Sequence, residues 1–399
     1  MPLKMTRRRV LQGGASAAVL GAAGCESAPA PGAAPDPEEV YLRLGIQPVI
    51  NAVGTVTVLG GSIMPPEVTD AMVAASRNFV PLPELQERAG DHIARLIGVP
   101  AAMISAGAAS AMTCGTAAAI AGDDDEKLRM LPDTTGIKNE VIQQRAHDTG
   151  YQAQMELVGA RIVWVDTREE LEAAISERTA MMFFLNFADP RGQIGRAEWV
   201  EVARAHGVPT MNDAAADIPP PERLHTYVEE GFDMVAFSGG KGLRGPQATG
   251  LLLGRPDLIQ AARRAISPFG GIGRGMKVGK EEIMGLVAAV ERYLSLDHEA
   301  ERQELDARAE LVMGVLGGVA GLSCEIHVPE IANHVPHVVV HWNEGDLGVT
   351  SEDAVARLLE GDPPVAVSRA GEGQLRISMW MLRPGQDAVV AERVRALFA

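Results

Sequence analysis

From about residue 100 onward, short uninterrupted apolar segments alternate with longer segments of helical character. Uninterrupted apolar segments of this length are typical of strands buried on both faces of a parallel sheet. The strand segments are AAMIS (101–105), NEVI (139–142), RIVWVD (161–166), TAMMFFLN (179–186), VPTMND (208–213), MVAFS (234–238) and GLLLG (250–254). The helical segments are an alanine-rich stretch after residue 106, YQAQMELVG, LEAAISER and EWVEVARAHG. This alternation predicts an α/β fold with a mostly parallel sheet between layers of helices.

The last third of the chain has a different pattern. A long helical region over 281–319 is followed by CEIHV, HVVVHW and LRISMW, and then by a final helical segment, QDAVVAERVRALFA. This mixture predicts a second, smaller α/β domain. We therefore expect an N-terminal segment over 38–60, a large domain over 61–290 and a small C-terminal domain over 291–399.

The first residues predict an export signal. Arg7, Arg8 and Arg9 precede a modestly apolar stretch rich in alanine and glycine that ends at Cys25. This pattern is typical of a twin-arginine signal over 1–25, followed by a Pro/Ala-rich linker over 26–37. The sequence before Cys25 resembles a lipoprotein cleavage box, so we expect a protein of the periplasm or cell envelope, with a lipid anchor at Cys25 as one option. Simple cleavage nearby and a misassigned start codon are the alternatives.

The charge and the cysteines exclude several classes of function. The formal net charge is −16, and such an acidic chain argues against a nucleic-acid partner, because phosphate backbones are bound mainly by lysine and arginine. The three cysteines form no CxxC pair, and no HExxH motif occurs, so we expect no metal site. No later segment predicts a membrane span, and only the export signal or a lipid anchor would contact a membrane.

Polar residues end three successive apolar segments. Asn186, Asp213 and Lys241 each follow one of the predicted strands, one strand-helix unit apart. If neighbouring strands carry these residues, all three face one crevice at the carboxyl edge of the sheet. Pyridoxal phosphate requires this set of groups, since its aldehyde reacts with a lysine, its pyridinium nitrogen pairs with a carboxylate and its ring hydroxyl accepts a hydrogen bond from an amide.

The same crevice needs a site for the cofactor phosphate. The segment at Gly107, Ala108 and Ala109 lies between a strand and a helix, where backbone N–H groups bind anions. Ser238 adds a hydroxyl three residues before Lys241, and we expect Gly239 and Gly240 to leave room for the cofactor ring. The alternative interpretations are a solvated loop for the lysine and a helix cap for Asp213.

With these residues, the sequence resembles the fold-type I pyridoxal phosphate enzymes, specifically the family shared by bacterial selenocysteine synthase and D-glucosaminate-6-phosphate ammonia-lyase, related to class V aminotransferases. The resemblance covers about residues 40 to 398. FSGGKGLRGPQ is its most specific segment, with further matches in FVPLPELQERAG, NEVIQQRAHDTGY and VPTMNDAAA. It implies a large domain with a seven-stranded, mostly parallel sheet, a smaller C-terminal α/β domain and a homodimer or higher homo-oligomer.

The resemblance also implies roles for individual residues around the cofactor ring. Lys241 would form the internal aldimine, and Asp213 would pair with the pyridinium nitrogen. His147 would stack on the ring, with a surface loop histidine as the alternative. Ala215 would pack under the ring, where a larger side chain does not fit.

Further implied roles concern the phosphate and the substrate. The phosphate would contact Ala106, Gly107, Ala108, Ala109, Ser238 and, from a second subunit, Gln247 or Thr249. The family usually has serine where Ala106 stands, which removes one hydroxyl contact. Arg376 would bind the substrate carboxylate, with an ordinary surface arginine as an equal alternative. Arg244 and Asn51 are further candidates for substrate contacts.

The expected chemistry starts with proton removal from the Cα of a small-molecule amino substrate. We expect α,β-elimination of the ammonia-lyase type on an amino acid or amino-sugar acid. The alternatives are selenium transfer on seryl-tRNA, aminotransfer, racemisation, desulfuration and a non-catalytic exported binding protein. Desulfuration is disfavoured, because it requires a mobile catalytic cysteine and Cys114 is predicted to lie in a buried helix.

Overall fold

The structure is a computed structural model that describes residues 39–398. The predicted export signal, Cys25 and the Pro/Ala-rich linker lie outside the described residues. The described residues belong to two units, 39–48 and the residues from Val49 onward. The first contains helix α1 (Glu39–Leu42), and every other element belongs to the second.

The second unit alternates strands and helices through most of its length. Its strands are β1 (Ile50–Asn51), β2 (Ala101–Ser105), β3 (Glu140–Gln144), β4 (Arg161–Val165), β5 (Thr179–Leu185), β6 (Thr210–Asp213), β7 (Met234–Ser238), β8 (Gly250–Gly254), β9 (Leu322–His327), β10 (His337–Trp342), β11 (Val365–Ala366), β12 (Ser368–Gly371) and β13 (Gln374–Ser378). Its helices are α2 (Pro66–Ser76), α3 (Leu82–Ile97), α4 (Gly107–Ala121), α5 (Asp125–Met130), α6 (Ala153–Glu156), α7 (Arg168–Ala174), α8 (Arg196–His206), α9 (Arg223–Glu230), α10 (Pro256–Ala265), α11 (Lys280–Ser295), α12 (His298–Leu316), α13 (Glu344–Leu347), α14 (Ser351–Leu359) and α15 (Gln386–Arg395).

Seven strands form the main sheet in the order β2-β8-β7-β6-β5-β3-β4. Strand β8 is antiparallel to both of its neighbours, and the other neighbouring pairs are parallel. The carboxyl ends of β2, β5, β6 and β7 therefore lie at one edge of the sheet, together with the start of β8. This confirms the predicted α/β fold with a mostly parallel seven-stranded sheet.

The central strands are buried on both faces because their residues alternate between two apolar layers. In β5, every residue is buried. Phe183 packs in the same cluster as Met112 of α4, whereas the next residue, Phe184, packs in the cluster of Trp199 of α8. A strand that fills two cores requires apolar residues at every position, which explains the uninterrupted segments in the sequence.

A second, four-stranded antiparallel sheet has the order β12-β13-β10-β9. Its apolar face packs with helices α12, α14 and α15 in a core of its own. Strand β1 joins this region, since Ile50 and Asn51 pair in parallel with Val365 and Ala366 of β11. Residues from Val49 onward form one compact unit, so the predicted boundaries at residues 60 and 290 remain predictions.

Two predicted helical regions differ from those in the structure. The helical region predicted over 281–319 is divided into α11 and α12, and Asp297 caps the second helix by accepting a hydrogen bond from Ala300 N at 3.0 Å. The helix predicted over 151–159 is reduced to the single turn of α6. Among the described residues, no helix combines the length and the apolar character needed to cross a membrane.

Candidate functional site

The three polar residues lie at or just beyond the carboxyl ends of the adjacent strands β5, β6 and β7. Leu185 of β5 is paired with Asp213 of β6, and Asp213 is paired with Ala236 of β7. Asn186 directly follows β5, and Lys241 lies in the turn that follows β7. The structure therefore brings these strand ends to one edge of the sheet, as their spacing predicted.

Asp213 is a buried carboxylate beside a lysine. Its side chain is 6% exposed, and its Oδ1 accepts a hydrogen bond from Ala215 N at 3.0 Å. Burial raises the pKa of Asp213 from its ordinary value of 3.8 to about 6, although Lys241 and the bond from Ala215 oppose this shift. A carboxylate that lacks solvation strongly favours a cationic partner, and the pyridinium nitrogen of a cofactor is such a partner.

Lys241 is held in an environment that favours the neutral amine. Burial lowers its pKa below the ordinary value, while the carboxylates of Asp213 and Asp217 partly offset this effect. The neutral amine is the nucleophilic form that attacks an aldehyde. The side chain thus has the reactivity that attachment of a carbonyl cofactor requires.

The start of α4 forms a cradle next to the lysine turn. Ser105 of β2 and Ser238 of β7 are both paired with Gly250, which begins β8 between them. A Cβ atom on Gly250 would lie 2.5 Å from the carbonyl carbon of Gly107 and 2.8 Å from Ala108 N. Only glycine therefore lets the N-terminal backbone of α4 approach the sheet edge this closely, and the backbone N–H groups of a helix N-terminus suit a phosphate.

The other implied phosphate contacts differ in accessibility. Thr249 is fully buried within its own chain, where its hydroxyl donates to Pro246 O at 2.6 Å. This burial does not fit the implied contact across a subunit interface. Gln247 is exposed, and its amide donates to Thr57 O at 2.9 Å. Of the two, only Gln247 is accessible to a second subunit.

The glycines before Lys241 have a different role from the predicted one. A Cβ atom on Gly239 would lie 2.2 Å from Thr249 Oγ1, and one on Gly240 would lie 2.5 Å from Gln247 Cα. The absent side chains therefore allow the lysine turn to pack against the segment before β8. The prediction that they make room for the cofactor ring was wrong, because protein atoms already fill that space.

Asn186 belongs to a buried cluster of hydrogen-bonded polar side chains. Asn186 Nδ2 donates to Asp217 Oδ2 and to Tyr227 Oη, the latter at 2.9 Å, and Tyr227 Oη donates to Asp217 Oδ2 at 2.8 Å. Both amide hydrogens of Asn186 are engaged here, so the expected hydrogen bond to the cofactor hydroxyl would require these contacts to be exchanged. Sequence reasoning missed Asp217, although its position in NDAAAD, four residues after Asp213, was a visible signal.

His147 does not fit the implied stacking role. Its side chain is 0% exposed, its Nδ1 accepts a hydrogen bond from Leu185 N at 3.2 Å, and its ring meets Phe184 edge-on at 4.6 Å. Burial, together with the charge of Arg191, lowers its pKa to about 4. His147 is thus a neutral core residue whose ring is enclosed by protein atoms.

The candidate substrate residues lie in different settings. Arg376 is exposed on β13, as a carboxylate-binding arginine requires. Arg244 is partly buried three residues after Lys241, and its Nη2 donates to Trp380 O at 3.3 Å. Asn51 closes a turn on its own loop by accepting from Val53 N and Gly54 N at 3.0 and 3.2 Å. The latter contacts give Asn51 a structural role.

The remaining donors fit the predicted cofactor. Lys241, Asp213 and the cradle around Gly250 supply an amine, a carboxylate and an anion site at one sheet edge, and Ala215 beside Asp213 adds no bulk. Among residues 39–398, no group of three histidines, cysteines or carboxylates forms a metal site. Cys114 is buried in α4, and burial raises the pKa of its thiol to about 12, which makes it a poor nucleophile.

Comparison with known proteins identifies close relatives of this chain. D-glucosaminate-6-phosphate ammonia lyase of Salmonella typhimurium is 32% identical over 374 residues, which cover 90% of this chain and 97% of that protein. The 5'-C-glycyluridine monooxygenase-decarboxylase of a Streptomyces species is 31% identical over 90% of this chain and 91% of its own length. L-seryl-tRNA(Sec) selenium transferase of Moorella thermoacetica is 25% identical over 88% and 81%, respectively. The family model for L-seryl-tRNA selenium transferase matches residues 155–307.

Comparison with solved structures also finds similarity to D-glucosaminate-6-phosphate ammonia-lyase. The structure of D-glucosaminate-6-phosphate ammonia-lyase superposes with a TM-score of 0.78 at 31% identity, over 90% of this chain and 97% of that one. A serine palmitoyltransferase from Sphingomonas wittichii superposes with a TM-score of 0.58 at 14% identity, over 88% and 87%. The second similarity concerns the fold alone.

Proposed function

Because the chain belongs to the family that includes D-glucosaminate-6-phosphate ammonia lyase and the selenium transferases, we propose that it is a pyridoxal phosphate-dependent lyase. Its substrate would be an amino acid or amino-sugar acid with a hydroxyl on the β carbon. The reaction removes the Cα proton and the β-hydroxyl, and hydrolysis of the product releases ammonia and a 2-keto acid. One observation carries this proposal: Lys241, Asp213 and an anion cradle meet at one sheet edge.

The residues of the chain have separate tasks in this reaction. Lys241 would hold the cofactor through its side-chain amine, and the neutral form of that amine would take the Cα proton of the bound substrate. The buried carboxylate of Asp213 holds the proton on the cofactor nitrogen. The backbone at Gly107 and Ala108 binds the phosphate and fixes the position of the ring. When bound, the cofactor supplies the electron sink for the pair left at Cα.

A first experiment tests attachment of the cofactor. The purified protein is reduced with borohydride and analysed by peptide mass spectrometry, and we expect the cofactor mass on the peptide that contains Lys241. Lys241→Ala should lack this mass and the visible absorption band, whereas Lys277→Ala, an exposed lysine, should retain both. An unmodified Lys241 in the reduced wild-type protein would refute the cofactor assignment and favour a non-catalytic binding protein.

A second experiment tests the reaction. Candidate β-hydroxy amino acids and amino-sugar acids are incubated with the holoenzyme, and ammonia and 2-keto acid are measured separately. We expect both products in equal amounts. Keto acid without ammonia, obtained only when a second keto acid accepts the amine, would identify an aminotransferase instead.

Selenium transfer remains the second candidate, because the family model for L-seryl-tRNA selenium transferase matches residues 155–307. The net charge of −16 disfavours it, since tRNA binding depends on lysine and arginine. Retention of seryl-tRNA on the immobilised protein at low salt would support this candidate over the lyase.

Two further expectations complete the proposal. We propose that the twin-arginine segment directs the protein to the periplasm or cell envelope, with Cys25 as the site of any lipid anchor. We also propose a homo-oligomer in which the exposed Gln247 contacts the site of the partner subunit. Cell fractionation with and without Arg7→Lys plus Arg8→Lys tests the first point, and the molar mass in solution tests the second.

A further inference from the structure

Three hydrogen bonds connect the segment after β6 to the loop before β10. Arg223 Nη1 donates to Asp217 O at 3.1 Å, and Arg223 Nη2 donates to Glu330 O. Asn333 N donates to Ala216 O at 2.8 Å. The segment after β6 belongs to the carboxyl edge of the main sheet, whereas the loop joins two strands of the four-stranded sheet. These three hydrogen bonds therefore form an inter-sheet bridge.

Arg223 has an unusual position for an arginine in a helix. It is the first residue of α9, where the positive end of the helix dipole disfavours a cation. Its two Nη groups donate to backbone carbonyls, one of them six residues before it and the other 107 residues after it. Arg196 of α8, by comparison, is bonded to the carboxylates of Asp189 and Glu230. The contacts of Arg223 thus join two backbone segments, while its charge does not favour α9 itself.

The loop before β10 has an uncommon backbone conformation. The φ angles of Ala332 and Asn333 are +54° and +48°, in the left-handed region that residues with a Cβ atom seldom occupy. Asn333 Oδ1 accepts a hydrogen bond from Thr55 Oγ1 at 3.4 Å, and its carbonyl oxygen lies 3.2 Å from His337 Nε2. Such strain persists where surrounding contacts enforce it. Here those contacts include the bond of the Asn333 amide to the main-sheet segment.

The bridge ends next to the peptide group that orients Asp213. Asp213 Oδ1 accepts a hydrogen bond from Ala215 N at 3.0 Å, and Ala215 directly precedes Ala216. In the same turn, Asp217 N donates to Ala214 O at 3.1 Å. A rotation of the Ala215 peptide group would displace the two carbonyls that follow it, and the bridge holds both of them. The orientation of the Asp213 carboxylate therefore depends on the bridge.

We propose that Arg223 and Asn333 position the Asp213 carboxylate for the cofactor nitrogen, because they fix the carbonyls of Asp217 and Ala216 against the loop before β10. Both are positioning residues, since they act through Asp213. The role toward the cofactor rests on the proposed function, whereas the bridge itself requires no ligand. A displacement of the four-stranded sheet would thus be transmitted to the carboxylate at the edge of the main sheet.

Hydrogen exchange of the cofactor-free protein, followed by peptide mass spectrometry, tests the bridge. Arg223→Ala removes both side-chain donors and should accelerate exchange of the amides over 330–335 about tenfold. Arg223→Lys keeps the charge but not the planar pair of donors, so it should accelerate the same amides. Arg204→Ala, which replaces an exposed arginine of α8, is the control and should leave their exchange unchanged. Unchanged exchange over 330–335 in both Arg223 variants would overturn the bridge.

A double-mutant cycle tests whether Arg223 acts through Asp213. The dissociation constant of the cofactor is measured by fluorescence titration for the wild type, Arg223→Ala, Asp213→Asn and the double variant. We expect Arg223→Ala to weaken cofactor binding about tenfold when Asp213 is present, and by less than about twofold when Asp213 is already replaced. Equal factors in the two backgrounds would show an effect on the fold alone and would overturn the positioning role.

Asn333 supplies an independent pair of variants. Asn333→Gly keeps the N–H and favours the left-handed backbone, so it should bind the cofactor as the wild type does. Asn333→Val disfavours that backbone and should weaken binding by a factor similar to that of Arg223→Ala. Equal affinities of these two variants would contradict the role of Asn333. If the wild type bound no cofactor, the proposed function and the positioning role would both fail, whereas hydrogen exchange would still decide whether the bridge exists.

Discussion

Replacement of Asp213 by asparagine should stabilise the cofactor-free protein while it abolishes activity. Asparagine has the same shape, and its Oδ1 can still accept the hydrogen bond from Ala215 N. The substitution removes a negative charge that the folded protein holds out of water. It also removes the partner that the cofactor nitrogen requires. Stability and function are therefore expected to change in opposite directions.

The pKa of Asp213 gives the magnitude. A rise from 3.8 to about 6 corresponds to about 3 kcal/mol, at about 1.4 kcal/mol per pKa unit. The unfolded chain releases this proton near pH 4, whereas the folded chain keeps it until about pH 6, so the folded state is destabilised progressively as the pH rises through this range. Loss of Asp213 also removes a charge that favours the Lys241 ammonium. We therefore expect a net gain of about 1 to 3 kcal/mol at pH 7.

Urea unfolding of the cofactor-free protein measures this effect. The free energy of unfolding is determined between pH 4.5 and pH 8 for the wild type, Asp213→Asn and the control Asp70→Asn, an exposed aspartate on α2. The wild type and the control should lose stability relative to Asp213→Asn as the pH rises through 6.

Two results would refute the reasoning. If the free energies of unfolding of the wild type and Asp213→Asn changed in parallel with pH, burial would not destabilise the Asp213 carboxylate in the folded state. Retention of normal activity by the variant would show that Asp213 does not support the cofactor nitrogen.

Two further substitutions probe the cradle and the buried cluster. Gly250→Ala should weaken cofactor binding, since its Cβ would lie 2.5 Å from the carbonyl carbon of Gly107. The control is Gly314→Ala in α12, where a Cβ would meet nothing within 4 Å. This control should bind the cofactor normally and gain up to about 1 kcal/mol of stability. Equal cofactor affinity in fluorescence titrations of both variants would contradict this role. Tyr227→Phe removes a hydrogen bond that stabilises the Asp217 carboxylate, so Asp217 should stay neutral to higher pH and the pKa of Lys241 should fall further. An amine-specific reagent should then label Lys241 of the cofactor-free protein half-maximally at a lower pH, and an unchanged midpoint would argue against this coupling.

The main sheet could be predicted because its strands fill two cores at once. Uninterrupted apolar segments such as β5 predicted strands that are buried on both faces. The regular spacing of Asn186, Asp213 and Lys241 predicted that they lie at the ends of adjacent strands. The pairing of β1 with β11 was not predictable, since two-residue strands carry no periodic pattern.

The parts of the site that could not be predicted depend on distances between segments remote in sequence. The resemblance placed His147 against the cofactor, but only the fold shows its ring enclosed beside Phe184. The glycines at 239 and 240 indicated a close approach, yet the sequence could not say that Thr249 and Gln247, rather than a cofactor, occupy the space. The motif NDAAAD showed Asp217 close to Asp213 in sequence, but the hydrogen bond that Asp217 accepts from Tyr227 is visible only in the fold.

The pairing of Ile50 and Asn51 with Val365 and Ala366 has a consequence for biosynthesis. The first of these segments leaves the ribosome early, but its partner emerges only when translation is almost complete. Strand β1 therefore stays unpaired until β11 has been synthesised. Pairing two strands so far apart in sequence closes a long loop, and the entropy lost in closing it has to be offset by later contacts. A nascent chain that stops before residue 365 would retain the strands of its seven-stranded sheet but would lack the pairing partner of β1.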